Sequence, residues 1–221
     1  MKKPIFKLSS ISHKYVVALA GLFLMLFLCF HLFTNLLMLK GDGESFQQAV
    51  EFLSANPLIK AMEYVLFAGF IIHILFGVLV WATNSQARPV KYYVAQASET
   101  SYFSKFMIHT GLIILAFLII HLNNFFFVKL GWAPMPEYAA DSHDFFSMAV
   151  VKFQEPIYSL IYLVSFVFLG FHLKHAFQSA FQTLGLNHNK YFPAIKVIGT
   201  LYALAISIGF SIIPIYFLFF Y

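Results

Sequence analysis

The sequence predicts an all-α membrane protein: a single domain over residues 1–221, with five transmembrane helices, N-terminus inside and C-terminus outside. Three observations predict the helices and their direction. Hydrophobic residues make up 61% of the chain and charged residues only 10%, against roughly a quarter charged in soluble domains. Apolar stretches long enough to cross about 30 Å of hydrocarbon recur five times, at 15–39, 58–82, 107–128, 157–181 and 196–220. The Lys and Arg residues between them sort to one side.

In lipid a backbone has to satisfy its own hydrogen bonds, and without a barrel's alternating pattern the spans read as helices. The first apolar run follows Lys14 and is longer than a signal-peptide core, so it is expected to stay in the membrane. Pro57 and Pro156 stand just before spans two and four, where a first-turn proline costs little. Pro214 falls inside span five and predicts a kink. With the N-terminus inside, Lys2, Lys3, Lys7, Lys14, Arg88, Lys91, Lys105, Lys174, Lys190 and Lys196 face the cytoplasm, ten of fourteen basic residues. Lys40, Lys60, Lys129 and Lys152 face out, with every acidic residue except Glu99. The net charge of +5 is therefore a topology signal, not a nucleic-acid patch. One cysteine, Cys29, excludes a disulfide framework, an iron–sulfur cluster or a Cys-based zinc site within this chain, and reads as a small buried hydrophobe.

Four of the nine histidines lie well inside spans: His31, His73, His121 and His172, one on each of the first four. Any one of them is equally readable as a buried imidazole donating to a neighbouring carbonyl. Depth makes the set informative. At about 1.5 Å per residue, His31 and His121 sit roughly 5–6 Å outward of their span midpoints. His73 and His172, on spans running the other way, sit about 5 Å toward the cytoplasm. Four ligands allow three pairings, and depth selects His31 with His121 and His73 with His172, at levels about 10 Å apart. Facing neutral imidazoles within lipid suit the axial positions of low-spin b-type haem, which then passes electrons without binding oxygen, so the first four helices are expected to form a haem-binding bundle.

Gly21 precedes His31 by ten residues and Gly111 precedes His121 by ten. Glycine at such positions admits a flat macrocycle or a neighbouring helix, and Gly69 and Gly77 flank His73 in the same way. His175, three residues past His172, is the rival ligand, expected near a haem propionate or a quinone. His13, His109, Lys14, Arg88, Lys91 and Lys174 are interfacial groups that either meet propionates or are simply solvated or snorkelling. Glu44 and Glu51 lie near the outer level, where they either handle quinone protons or are solvated loop carboxylates. His143 and His188 read as loop residues.

Ala20-Gly21 to His31-Leu-Phe, Glu63 to His73, Thr110-Gly111 to His121, Gly170-Phe-His172-Leu and Ser179-Ala-Phe-Gln-Thr-Leu-Gly185 together resemble the five-helix, dihaem cytochrome b subunit of succinate dehydrogenases and quinol:fumarate reductases. The resemblance covers nearly the whole chain. It implies axial roles for His31, His73, His121 and His172, and prefers His172 to His175. It implies an FAD-bearing flavoprotein and an iron–sulfur subunit on the cytoplasmic face, and menaquinone near the outer side. A bacterial cytoplasmic membrane and a dimer of heterotrimers are further implications. The chain departs from the pattern at Gly170, where some fumarate reductases carry a glutamate two residues before the fourth ligand. Other readings of the histidines are a cytochrome b of another quinone-linked dehydrogenase or hydrogenase, and a haem-free proton-coupled transporter.

Overall fold

The computed structural model describes residues 10–86 and 106–221. Lys2, Lys3, Lys7, Arg88, Lys91, Glu99 and Lys105, on which much of the expected charge bias rests, lie outside the described residues.

Five helices are long and apolar enough to cross a membrane. Helix α1 (Ser10–Leu36) ends in a tighter turn, Leu37–Lys40. Helix α3 (Pro57–Gln86) returns, and α4 (Met107–His121) runs on through a π-helical turn at Leu122–Phe126 and a last turn at Phe127–Lys129. Helices α6 (Pro156–Thr183) and α7 (Phe192–Phe219) complete the five. Pro57 and Pro156 open their helices. Pro214 lies fully buried in an α7 that continues to Phe219.

Two helices not foreseen in the sequence join them: α2 (Glu44–Ala55) and α5 (Phe145–Gln154). Both are short and amphipathic. Helix α2 turns Phe46 and Val50 inward, and α5 turns in Met148, Ala149 and Phe153. The turn into α2 needs glycine, because Gly43 has φ +72° and a Cβ there would fall 2.7 Å from the Phe146 ring.

Neighbouring spans pack antiparallel, with Gly21 of α1 against His73 of α3 and Gly170 of α6 against Ser207 of α7. Helix α7 runs parallel to α1, since Gly209 meets Leu32 and the Tyr202 hydroxyl donates to the Met25 carbonyl at 2.8 Å. Small residues set these approaches: Cβ atoms at Gly170, Gly199 and Gly209 would stand 2.6–3.1 Å from Ser207, Phe177 and Leu32. The Ser207 hydroxyl donates to the Phe166 carbonyl at 2.7 Å, tying α7 to α6. The core sits on that side, where Phe153, Tyr162, Phe166, Phe210 and Phe217 pack together.

The outward faces carry large apolar side chains. On α1 these are Leu19, Leu26, Phe30 and Phe33, spaced to share one face. Lipid is the solvent such a surface fits. Cys29 is exposed among them, not buried as the sequence suggested. Its neighbours are apolar because they face lipid, which composition alone does not separate from a protein core.

At the start of α5, the Asp144 carboxylate accepts from the backbone N–H of Ser147 at 3.1 Å and of Ala140 at 3.0 Å. Partial burial pushes its carboxyl pKa up, but the hydrogen bonds from Ala140 and Ser147 outweigh it and hold the pKa below the ordinary value. The folded pKa being depressed, this cap contributes fully above the unfolded carboxyl pKa and is lost as pH falls through the folded one. Replacing Asp144 by Ala should cost about 1 kcal/mol or less, the site being partly exposed. Amide exchange in α5 should be faster in Asp144→Ala at neutral pH and converge with the native rate in acid. Equal rates at neutral pH would contradict the cap.

Candidate functional site

The inward faces of α1, α3, α4 and α6 are stripes of residues spaced three and four apart. On α4 the stripe is Gly111, Ile114, Leu118, His121 and Phe125; on α1 it is Gly21, Leu24, Leu28, His31 and Asn35. Glycines and histidines occupy places that in a closed bundle would hold interlocking Leu and Ile. Helix α3 packs along α1 and only lightly meets α4. Between the stripes lies one mostly apolar cavity of about 1660 Å³ that reaches all four histidines. A drug-sized ligand fills roughly 300–1,000 Å³, and packed interiors leave few voids larger than a water.

The structure brings the four intramembrane histidines together as two pairs. His31 and His121 have ring centroids 5.8 Å apart with planes at 78°. His73 and His172 are 6.3 Å apart at 74°. The ten residues from Gly21, beside His73, to His31 span about 15 Å of helix axis. That is an upper bound on the separation of the levels, because the His31 side chain leans back toward the start of α1.

The glycines take a different place from the one their spacing suggested. Each lies against a histidine of the other pair. A Cβ at Gly21 would sit 3.4 Å from Cε1 of His73, and one at Gly111 would sit 3.7 Å from Cε1 of His172. Helices α1 and α4 thus each give one imidazole to one level and a side-chain-free notch to the other. Gly69 meets Phe23 of α1, and Gly77 has open space around it.

Hydrogen bonding separates the four rings. His172 Nδ1 lies 3.1 Å from the Thr110 hydroxyl, which donates to the Met107 carbonyl at 3.0 Å. The Asn35 amide donates to the His31 carbonyl at 2.7 Å and lies 3.3 Å from His31 Nδ1. The buried Nδ1 atoms of His73 and His121 meet no hydrogen-bond partner among the described residues. The Val17 carbonyl faces the His73 ring without bonding Nδ1. Buried polar atoms without partners are uncommon in finished interiors.

The cavity is polar at its two ends. Lys14, His175, Ser179 and Thr183 lie at the Ser10 end, which places His175 on the cavity wall one turn beyond His172. At the Lys40 end Lys129 Nζ donates to Glu63 Oε1 at 2.5 Å, with Asn35 and Ser54 nearby on the wall. Glu63, quoted as the start of the span-two motif, and Lys129, placed among the outer basic residues, were not expected to pair, since 66 residues separate them. Glu44 and Glu51 are exposed on α2 and do not line the cavity. Gly170 faces α7 and not the cavity, so a glutamate there would collide with Ser207. His13 packs edge-on against Phe76, His109 lies beside Phe106, and Lys174 is exposed. His143 and His188 stand outside the cavity, beside Phe145 and Tyr191.

The Glu63–Lys129 pair is partly screened, with side-chain exposures of 32% and 18%. Its rupture should cost about 1–3 kcal/mol, between the figures for exposed and for fully buried pairs. Unfolding in detergent should show Glu63→Gln destabilised by that amount and Glu63→Gln/Lys129→Met recovering part of it. Strictly additive effects of the two substitutions would contradict the pairing. Comparison with known protein families, curated proteins and solved structures found no match.

Proposed function

We propose that the chain is the dihaem membrane subunit of a succinate:quinone oxidoreductase, carrying electrons between an iron–sulfur partner and menaquinone. The observation that supports it best is the pairing of four imidazoles across one large apolar cavity. Two metal–nitrogen bonds of about 2 Å, with the ring radii added, put facing imidazole centroids roughly 6 Å apart. Both observed separations, 5.8 and 6.3 Å, fit that span.

Two imidazoles give a bare ion too few donors, so a group that brings further ligands of its own suits each pair. A flat, apolar macrocycle does so, and the cavity wall is apolar where such a face would rest. The residues therefore fit b-type haem, two per chain: His31 and His121 would hold one, His73 and His172 the other. Such a group supplies reversible one-electron transfer when bound.

The chain's own residues do the rest. Gly21 and Gly111 leave room beside His73 and His172. The walls between the two levels are apolar. Lys14 at one end and Lys129 at the other carry charge suited to propionates. Glu63 at the rim is better placed for quinone protons than Glu51, which points away. By the Lys/Arg bias the Ser10 end faces the cytoplasm, where a flavoprotein and an iron–sulfur subunit would dock.

Single substitutions test the assignment. His73→Leu and His172→Leu should each leave one haem per chain, and so should His31→Leu and His121→Leu, with a different spectral component surviving in the two sets. His175→Leu should retain both. Two haems surviving in any of the four variants would overturn the pairing. Copurification of a flavoprotein that oxidises succinate should accompany the native chain; a different dehydrogenase partner would replace the succinate assignment while leaving the haems in place.

A further inference from the structure

The two histidine pairs are not held alike, and the difference lies in one hydroxyl. Thr110 is buried on α4, one residue before the notch at Gly111. Its hydroxyl donates to the Met107 carbonyl at 3.0 Å, which uses its single proton. Toward His172 Nδ1, 3.1 Å away on α6, it can then only accept. His172 is thereby held with the proton on Nδ1, and Nε2 keeps its lone pair free for a metal. Among the described residues no other intramembrane histidine has its Nδ1 beside a hydroxyl that can only accept. His31 Nδ1 meets an amide donor, and the Nδ1 atoms of His73 and His121 meet no partner among the described residues.

We propose that Thr110 is the positioning residue of the His73–His172 site: by accepting from Nδ1–H it fixes the tautomer and ring orientation of His172 and strengthens Nε2 as a ligand. The inference rests on the haem reading and adds to it a residue that touches no metal. A ligating imidazole that donates its second N–H is more basic, and loss of such an acceptor typically weakens metal binding about 10–100-fold. A less basic ligand favours the ferrous state, so the potential of that haem alone should rise.

The test is a potentiometric titration of the purified full-length chain, followed optically, for the native protein, Thr110→Val and Thr110→Ser. Thr110→Val should move one of two midpoint potentials upward, and its affinity for that haem should fall about 10–100-fold. Thr110→Ser, which keeps the hydroxyl, should match the native protein. In Thr110→Val/His73→Leu the remaining haem should titrate at its native potential, which identifies the shifted one as the His73–His172 haem. Native potentials for both haems in Thr110→Val, or an equal shift of both, would overturn the role of Thr110 alone. A native chain that binds no haem would overturn the reading beneath it.

Discussion

A gap between helices has to be held open, and the rest of the molecule is arranged around that requirement. Apolar side chains in a bundle gain dispersion energy by closing on one another, and those around the cavity of about 1660 Å³ are held apart. The closely packed side of the protein supports the open one. Helix α7 is fastened to α6 through Gly170, Gly199 and the Ser207 hydroxyl, and to α1 through Gly209 and Tyr202. With α1 and α6 so fixed, α3 leans on α1 and α4 on α6, and the centre stays empty of side chains.

The same geometry explains why glycine and histidine alternate between levels. A helix that brings an imidazole to one level has to clear the other level, ten residues along its axis and at most about 15 Å away, for the ring of its neighbour. Gly21 clears it for His73, and Gly111 for His172. The Gly-to-His spacing is therefore a property of two levels served by the same helix. It is not a cradle for the histidine that shares the motif.

Much of this was legible in the sequence, and the parts that were not have definite reasons. The five spans stand out because lipid imposes length and apolarity together. The pairing of His31 with His121 and His73 with His172 follows from a fixed rise per residue once the helices alternate in direction. Helices α2 and α5 escaped because, at 12 and 10 residues, they are too short to give a membrane-span signal, α5 even though it is apolar. Glu63–Lys129 and Thr110–His172 join residues more than sixty positions apart, and no local pattern marks them. Cys29 was misplaced because an apolar neighbourhood in sequence is the same whether the helix faces lipid or a core.

The account stands or falls on what fills the space between the paired imidazoles. The most direct measurement is the haem content of the full-length chain purified in mild detergent, with its dithionite-reduced minus oxidised spectrum. Two b-type haems per chain, low-spin in both oxidation states, is the predicted result. A chain that folds with the same helical content but shows no b-type absorbance would contradict it.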